Sequence, residues 1–431
     1  MNLGYGSVIR QKRIEAYMEM DSLSNWVNTS GSKAEGLTCT NESDRDLIMA
    51  CPNAVCLEDG IDERTIQGHI TVFKMNMPSC NAGYCRPLLL RLSPTCHPAI
   101  PESLCADGYG RFLLSSTYFV DHLKKYNLPI YVNHARAGPS LPWTSGPNNF
   151  DAVRALRCHC PVILQKWASR ARQWPSPDIV EKATSMGAFV TPIGFKGSEP
   201  YHIAWRICFN TAEVVLVNNL NDTQVKIYVL LKMIVNDVLK PKAKEITSYL
   251  LKNIVLWLEE NNPQTLFDSG SLFHWLLEGL GILRTAISFS QLPYYMIPER
   301  NLMTERRLDV EQQHVFVSSI TNMIDEGPRI LMRLKKVRQA VICHPEPLLW
   351  YSTMRTELEM LDLELMFRLT QCTDENLMVD ETVSIIHACA IRQGYIAREV
   401  LCRMRLEGSS VNDVIKVLNR TFIFTNDGNI R

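Results

Sequence analysis

Residues 31–50, GSKAEGLTCTNESDRDLIMA, place a Gly-Ser pair twelve positions ahead of two aspartates that flank one arginine and lead into an apolar run. The run reads as a strand, in which side chains two apart share a face at about 7 Å along the backbone, so Asp44 and Asp46 should project together. Two carboxylates held that close repel unless a cation lies between them. A hard divalent ion with oxygen ligands, Mg²⁺ or Mn²⁺, is the natural partner, and it keeps positions open for substrate phosphates. A Gly31-Ser32 turn adds what a triphosphate needs: close backbone approach, exposed N–H groups and a hydroxyl. A site built on two such ions calls for a third carboxylate. Asp151, in NNFDAVRALRC, opens a second alternating strand after a polar loop. That position suits a third metal ligand, and it equally suits a strand-capping aspartate.

Composition limits the alternatives. At 431 residues the chain exceeds what one hydrophobic core serves, and two or three packed lobes are expected. With 46% apolar and 21% charged residues it belongs with globular rather than disordered proteins. Lys plus Arg equals Asp plus Glu at 45 each, so any nucleic-acid surface must be a local patch. The stretch MNLGYGSVIRQKRIEAYMEM lacks an apolar core of signal-peptide length, and a cytoplasmic location is the expectation. The 14 cysteines are scattered without a C-x-x-C pair and read as reduced thiols, many of them core fillers.

The texture changes along the chain. RQKRIEAYMEMDSLSNWV (10–27) has helical periodicity that Gly31 is expected to stop. From about 44 to 215, short strand-like runs (DLIMA, HITVFKM, FDAVRALRC, AFVTPIGF, YHIAWRICF) alternate with Pro- and Gly-rich loops. After about 222 the pattern becomes long amphipathic helices: TQVKIYVLLKMIVNDVL, EITSYLLKNIVLWLEE and VEQQHVFVSSITNMIDEG. The fold class is therefore α+β, with a mixed twisted sheet lobe (1–215), a helical lobe (216–340) and a C-terminal helical extension (341–431).

The order G-S-x-x-E-G, S-D-x-D, F-D-x-V-x-A-L-R-C resembles the male-abnormal nucleotidyltransferase family, which includes cyclic GMP-AMP synthase and the cyclic GMP-AMP synthase-like receptors of animals. The resemblance continues through WASRARQWPSPDIVEKATSMGAFVTPIG and EPYHIAWRICFNTAEVVLVNNLN into the helices, over about residues 10–330, and WASRARQWP looks like invertebrate members. It implies a bilobal nucleotidyltransferase fold. Gly31 and Ser32 would then hold a triphosphate, Asp44, Asp46 and Asp151 would carry two Mg²⁺ or Mn²⁺ ions, and Asp151 would also help deprotonate an attacking ribose hydroxyl. Arg206 and Glu213 would face the nucleotide base, Lys232 and Ser248 the donor phosphates, and Tyr249 would stack on a base. Read alone, Tyr249 is a boundary aromatic, Lys232 a solvated helix face, and Arg206 the partner of a nearby acid. The activity implied is synthesis of a cyclic dinucleotide from ATP and GTP.

Two departures bear on ligands. The connection VVLVNNLND has neither Cys nor His where the synthase carries a zinc insertion, so no structural zinc is expected and double-stranded RNA becomes the preferred activator over DNA. Cys208 and Asn210 stand where the synthase has serines, and alternation would put Arg206, Cys208 and Asn210 on one face. Candidate duplex-binding cations are Arg10, Lys12 and Arg13; Lys166, Arg170 and Arg172; and Lys240, Lys242 and Lys244. Tyr351 to Glu381 holds eight acidic and two basic residues, which suits docking or structure rather than RNA. No membrane contact is expected, and dimers would form with ligand. The contrasting readings are a non-catalytic scaffold or ligand-binding member of the same fold, and a template-independent RNA-tailing polymerase.

Overall fold

A computed structural model of the chain describes residues 2–40, 42–78, 80–126, 132–135, 138–145, 148–195, 201–240, 245–306, 308–371 and 380–409. It divides into two compact units, one of residues 1–46, 146–150 and 339–431, the other of residues 47–145 and 151–338.

The first unit is built from segments far apart in sequence. Helix Ser7–Ser22 turns Ile9, Arg10, Arg13, Ile14, Tyr17 and Met20 inward, a stripe at helical spacing that mixes apolar side chains with two arginines. Tyr17 and Met20 pack on Leu363 of helix Leu348–Gln371. Helix Asp380–Leu406 adds Ile396, Val400 and Leu401 around Leu358 and Cys39. The expectation of helical periodicity over 10–27, stopped by Gly31, is corrected here. It ends at Ser22, strand β1 (Val27–Ser30) follows, and Gly31 opens the short helix Gly31–Ala34. The early stop has a local cause: the carboxylate of Asp21 accepts from the backbone N–H and the hydroxyl of Thr29 at 2.6 and 2.7 Å, tying the strand to the helix end.

A buried ion pair joins the two ends of this unit. Arg13 and Glu359, 2% and 1% exposed, meet through two parallel bonds of 2.8 and 2.7 Å, and Glu359 also accepts from Thr40 N. The fork geometry satisfies both charges where water cannot.

The second unit carries the sheet. Its strands are β2 (Arg45–Leu57, whose first two residues belong to the first unit), β3 (Thr71–Asn76), β4 (Tyr84–Arg91), β5 (Leu104–Ala106), β6 (Phe112–Leu114), β7 (Val132–Asn133), β8 (Leu141–Ser145), β9 (Asn148–His159, whose first three residues belong to the first unit), β10 (Ala188–Thr191) and β11 (Trp205–Cys208). Neighbours run β2-β3-β4-β11-β10-β9-β8-β7, with β6 on β4, β5 on β6, and a further β2–β9 pairing. β2 and β3 are parallel, whereas β3–β4, β4–β11, β11–β10 and β10–β9 are antiparallel, the mixed sheet expected from the alternating runs. Ile48, Ala50, Ala155 and Phe189 form one inner cluster. Trp205 is fully buried, its indole N–H donating to Leu114 O at 2.8 Å.

Helices Asn210–Asn218, Asp222–Ile234, Ser248–Asn261, Leu272–Ser288 and Val310–Glu326 follow. Capping boxes at Asn221/Gln224 and Asp309/Gln312 start the second and last of these, closing orphan N–H groups reciprocally. Ile254, Leu276, Leu280 and Leu283 are inaccessible to solvent between them. Among the described residues no helix is long and apolar enough to cross a membrane.

Two stability predictions follow from the buried acids. Glu359→Ala strands Arg13 in the interior and should lower unfolding stability by about 3–5 kcal/mol, read from the urea midpoint, with Arg13→Met/Glu359→Leu recovering most of the loss. Glu259, wholly buried with Gln224 and Gln264 as its side-chain partners, has its pKa pushed up to about 9, first of all by burial. The folded state then binds a proton that the unfolded chain releases above its ordinary value of 4.5, so stability falls as pH rises from about 4.5 to 9. Glu259→Gln should flatten that slope, which is at most about 1.4 kcal/mol per pH unit, in urea titrations repeated across the range.

Candidate functional site

In the first unit an arginine decides which way two aspartates point. Arg45 is buried, its Nε and Nη2 donating to Thr29 Oγ1 at 3.0 and 2.8 Å, its Nη2 reaching Asp21 at 3.2 Å, and its guanidinium 5.2 Å from the Tyr17 ring centre. Asp46, the next residue of the strand, falls on the opposite face by alternation, and both it and Asp44, which precedes the strand, are exposed. Gly31 sits beside them with φ +66°, and a Cβ placed on it would stand 2.4 Å from a carboxylate oxygen of Asp46. No side chain other than hydrogen fits both that dihedral and that approach. Ser32 follows in the first turn of the short helix and is half-buried. Next in line, Lys33 is buried, donates to Thr40 O at 2.6 Å, and has its pKa pushed down to about 8 by burial and then by Arg45, against the pull of Asp44 and Asp46.

In the second unit Asp151 is the fourth residue of β9, so the strand-capping alternative does not apply to it. It is half-buried, and its Oδ1 accepts from Ser140 Oγ at 3.3 Å. Among the described residues no three His, Cys, Asp or Glu side chains are grouped closely enough to hold a metal ion. The donor chemistry nonetheless suits a hard cation: Asp44 and Asp46 are exposed carboxylates two residues apart, and the missing Cβ of Gly31 leaves room at Asp46.

The base-side candidates also lie in the second unit. Arg206 and Cys208 share a face as expected, Arg206 Nε approaching Cys208 Sγ at 3.4 Å. Asn210 does not continue that face, because β11 ends at Cys208 and Asn210 opens helix Asn210–Asn218. One turn into that helix, Glu213 is 2% exposed, and its carboxylate gathers three donors. Tyr249 Oη and Tyr294 Oη reach Oε1 at 3.0 and 2.7 Å, and Lys252 Nζ reaches Oε2 at 3.2 Å. Burial first, and then the charge of Glu213, push the Tyr249 hydroxyl pKa well up, so it remains a donor. Tyr249 and Ser248 occupy the first turn of helix Ser248–Asn261, and Lys232 lies on helix Asp222–Ile234, which packs against it, with its ammonium 5.4 Å from the Tyr228 ring centre. Lys252 and Tyr294 were not singled out from the sequence. Lys252 stands three residues after Tyr249 on one helix face, a legible signal, whereas nothing in QLPYYMIPER marks Tyr294.

The basic clusters divide sharply. Arg10 and Arg13, read as groove cations, are interior: Arg10 Nε donates to Glu35 O at 3.0 Å and Arg13 is held by Glu359. Arg170 is half-buried between Trp257 and Tyr295, at 4.4 and 4.8 Å from their rings, and pairs with Glu260 at 2.7 Å. Arg172 lies 4.5 Å from the Trp167 ring and donates to Arg170 O. Lys12, Lys166 and Lys240 are exposed, with Lys166 paired to Glu299. Lys242 and Lys244 lie outside the described residues.

The Gly31–Asp46 approach is directly testable. Gly31→Ala should destabilise the protein, and Asp46→Ala in the same chain should relieve part of the cost. A double-mutant cycle on urea midpoints should return a coupling of about 0.5–3 kcal/mol, the remaining loss being the left-handed backbone. A coupling of zero would mean that the alanine methyl does not meet the carboxylate.

Residues 223–322, the four helices from Asp222–Ile234 to Val310–Glu326, match the family model of the Mab-21 protein HhH/H2TH-like domain. No curated protein matches the chain at a significant level. The match spans about a quarter of the chain and shows a Mab-21 HhH/H2TH-like domain in its helical part, which the mixed sheet precedes.

Proposed function

We propose that the protein is a nucleotidyltransferase that joins two nucleoside triphosphates, ATP and GTP by preference, into a cyclic dinucleotide messenger, and that duplex RNA activates it in the cytoplasm as part of innate immune signalling. The observation that carries the reading is the Gly31–Asp46 juxtaposition beside an outward Asp44. A glycine without room for a methyl group, next to paired exposed carboxylates, suits a polyphosphate lying against backbone N–H groups with divalent cations between the anions.

Asp44, Asp46 and Asp151 would hold two Mg²⁺ or Mn²⁺ ions, which when bound would offset the charge that gathers on the phosphate oxygens. The rest falls to the chain's own groups. Gly31 and Ser32 would seat the triphosphate. Asp151 would take the proton of a ribose hydroxyl as its oxygen forms a bond to the α-phosphorus and the bond to the pyrophosphate leaving group breaks. A second such attack closes the ring. Glu213, buried and fixed by Tyr249, Tyr294 and Lys252, supports a nucleotide pocket with a rigid acceptor and an aromatic wall. For the duplex, the exposed Lys12, Lys166 and Lys240 would be the phosphate contacts, Lys166 by exchanging its pairing with Glu299.

The test incubates purified full-length protein with ATP, GTP, CTP and UTP and Mg²⁺ or Mn²⁺, adding duplex RNA, duplex DNA or neither, with products resolved by chromatography and mass spectrometry. A cyclic dinucleotide that forms with duplex RNA, and falls by about a hundredfold or more in Asp44→Asn/Asp46→Asn, is the expected result. Extension of an RNA end would replace the reading with a tailing polymerase. Nucleotide binding without any product would replace it with a ligand-binding protein.

A further inference from the structure

We infer that Tyr294, clamped by Arg300, is a positioning residue of the nucleotide pocket, acting through Glu213 on the ring of Tyr249. The inference rests on the nucleotide-binding reading above and extends it to a strap, residues 292–305, that carries none of the residues picked out from the sequence.

The strap is closed on itself. Leu302 N donates to Leu292 O at 2.8 Å, Tyr294 N donates to Arg300 O at 2.8 Å, and Pro293 and Asn301 form an antiparallel bridge. Its one buried cation, Arg300, has a side chain 3% exposed and a guanidinium carbon 5.0 Å from the Tyr294 ring centre and 5.6 Å from that of Tyr84. Glu305 takes Arg300 Nε and Nη2 at 2.8 and 3.1 Å and the Tyr84 hydroxyl at 2.9 Å. Gly83 makes the close approach: with φ +78°, a Cβ there would stand 2.6 Å from Arg300 Cδ. A planar cation between two aromatic faces and a bidentate carboxylate has one orientation, and that orientation fixes the Tyr294 ring.

Tyr294 passes this order on to the pocket. Its hydroxyl and that of Tyr249 meet the same Glu213 oxygen, at 2.7 and 3.0 Å, so the shorter bond sets where the carboxylate stands and the longer one where Tyr249 points. Tyr294 is inaccessible to solvent, whereas Tyr249 is half-buried and is the member of the pair that a ligand can touch. Removing the inner hydroxyl leaves a buried carboxylate short of one donor, and Tyr249 and Lys252 must shift to compensate.

The experiment measures binding of ATP and of GTP, each with Mg²⁺, to full-length wild type and Tyr294→Phe by calorimetry, with urea unfolding of both. The phenylalanine keeps the ring stacking and loses only the hydroxyl, and nucleotide affinity should weaken about tenfold while both proteins remain folded at the assay concentration. Glu305→Gln, which loosens the clamp without touching Tyr294, should weaken it in the same direction by a smaller factor. Unchanged affinity in both variants, with only the unfolding midpoint lowered, would reduce the strap to a structural role and overturn the inference while leaving the nucleotide reading intact. Absence of nucleotide binding by wild type itself would overturn both.

Discussion

Arg45 is the constraint on which the candidate site depends. A guanidinium flanked in sequence by two aspartates would ordinarily pair with them at the surface. Here it is drawn inward, because Thr29, Asp21 and the Tyr17 face supply hydrogen bonds and an aromatic contact from behind the strand. Period-two geometry does the rest, presenting Asp46 outward and leaving no freedom to slip by one residue, since a slip would bury that carboxylate and expose the arginine. Gly31 completes the arrangement by leaving the space in which Asp46 sits.

The interior of both units contains more charge than a globular core needs. Arg13 with Glu359, Glu213 with Lys252 and two tyrosines, and Arg300 with Glu305 are each almost wholly buried and each fully engaged. Such groups contribute little net stability, since desolvation cancels most of the attraction, but they tolerate only one arrangement of their partners. In the first unit that specificity fixes how the helix near the N-terminus meets a helix 346 residues away in sequence. In the second it fixes two tyrosines around one carboxylate.

Much of this was legible beforehand. The strand runs around Asp46, Val72, Ala155, Val190 and Ile207 all became strands, because alternation of apolar residues between Gly- and Pro-rich loops has few other solutions. The helical half was equally plain, since the amphipathic runs TQVKIYVLLKMIVNDVL, EITSYLLKNIVLWLEE and VEQQHVFVSSITNMIDEG each became helical. Misreadings came where one tertiary contact outweighed local pattern. Arg10 and Arg13 looked like surface cations because they cluster with Lys12 in RQKR, yet Glu35 and Glu359 take them inside. Asn210 looked like a strand residue because alternation continues through it, yet the chain turns helical there.

The sequence by itself determined the strand-like runs between 44 and 208 and the long helices after 222, because both follow from residues close together in the chain. Only the tertiary structure decided which charges are buried, how Tyr294 reaches Glu213, and which cations remain at the surface. Those outcomes depend on partners tens to hundreds of residues away, and the cost of burying a charge is set by the partner that meets it rather than by its neighbours in sequence.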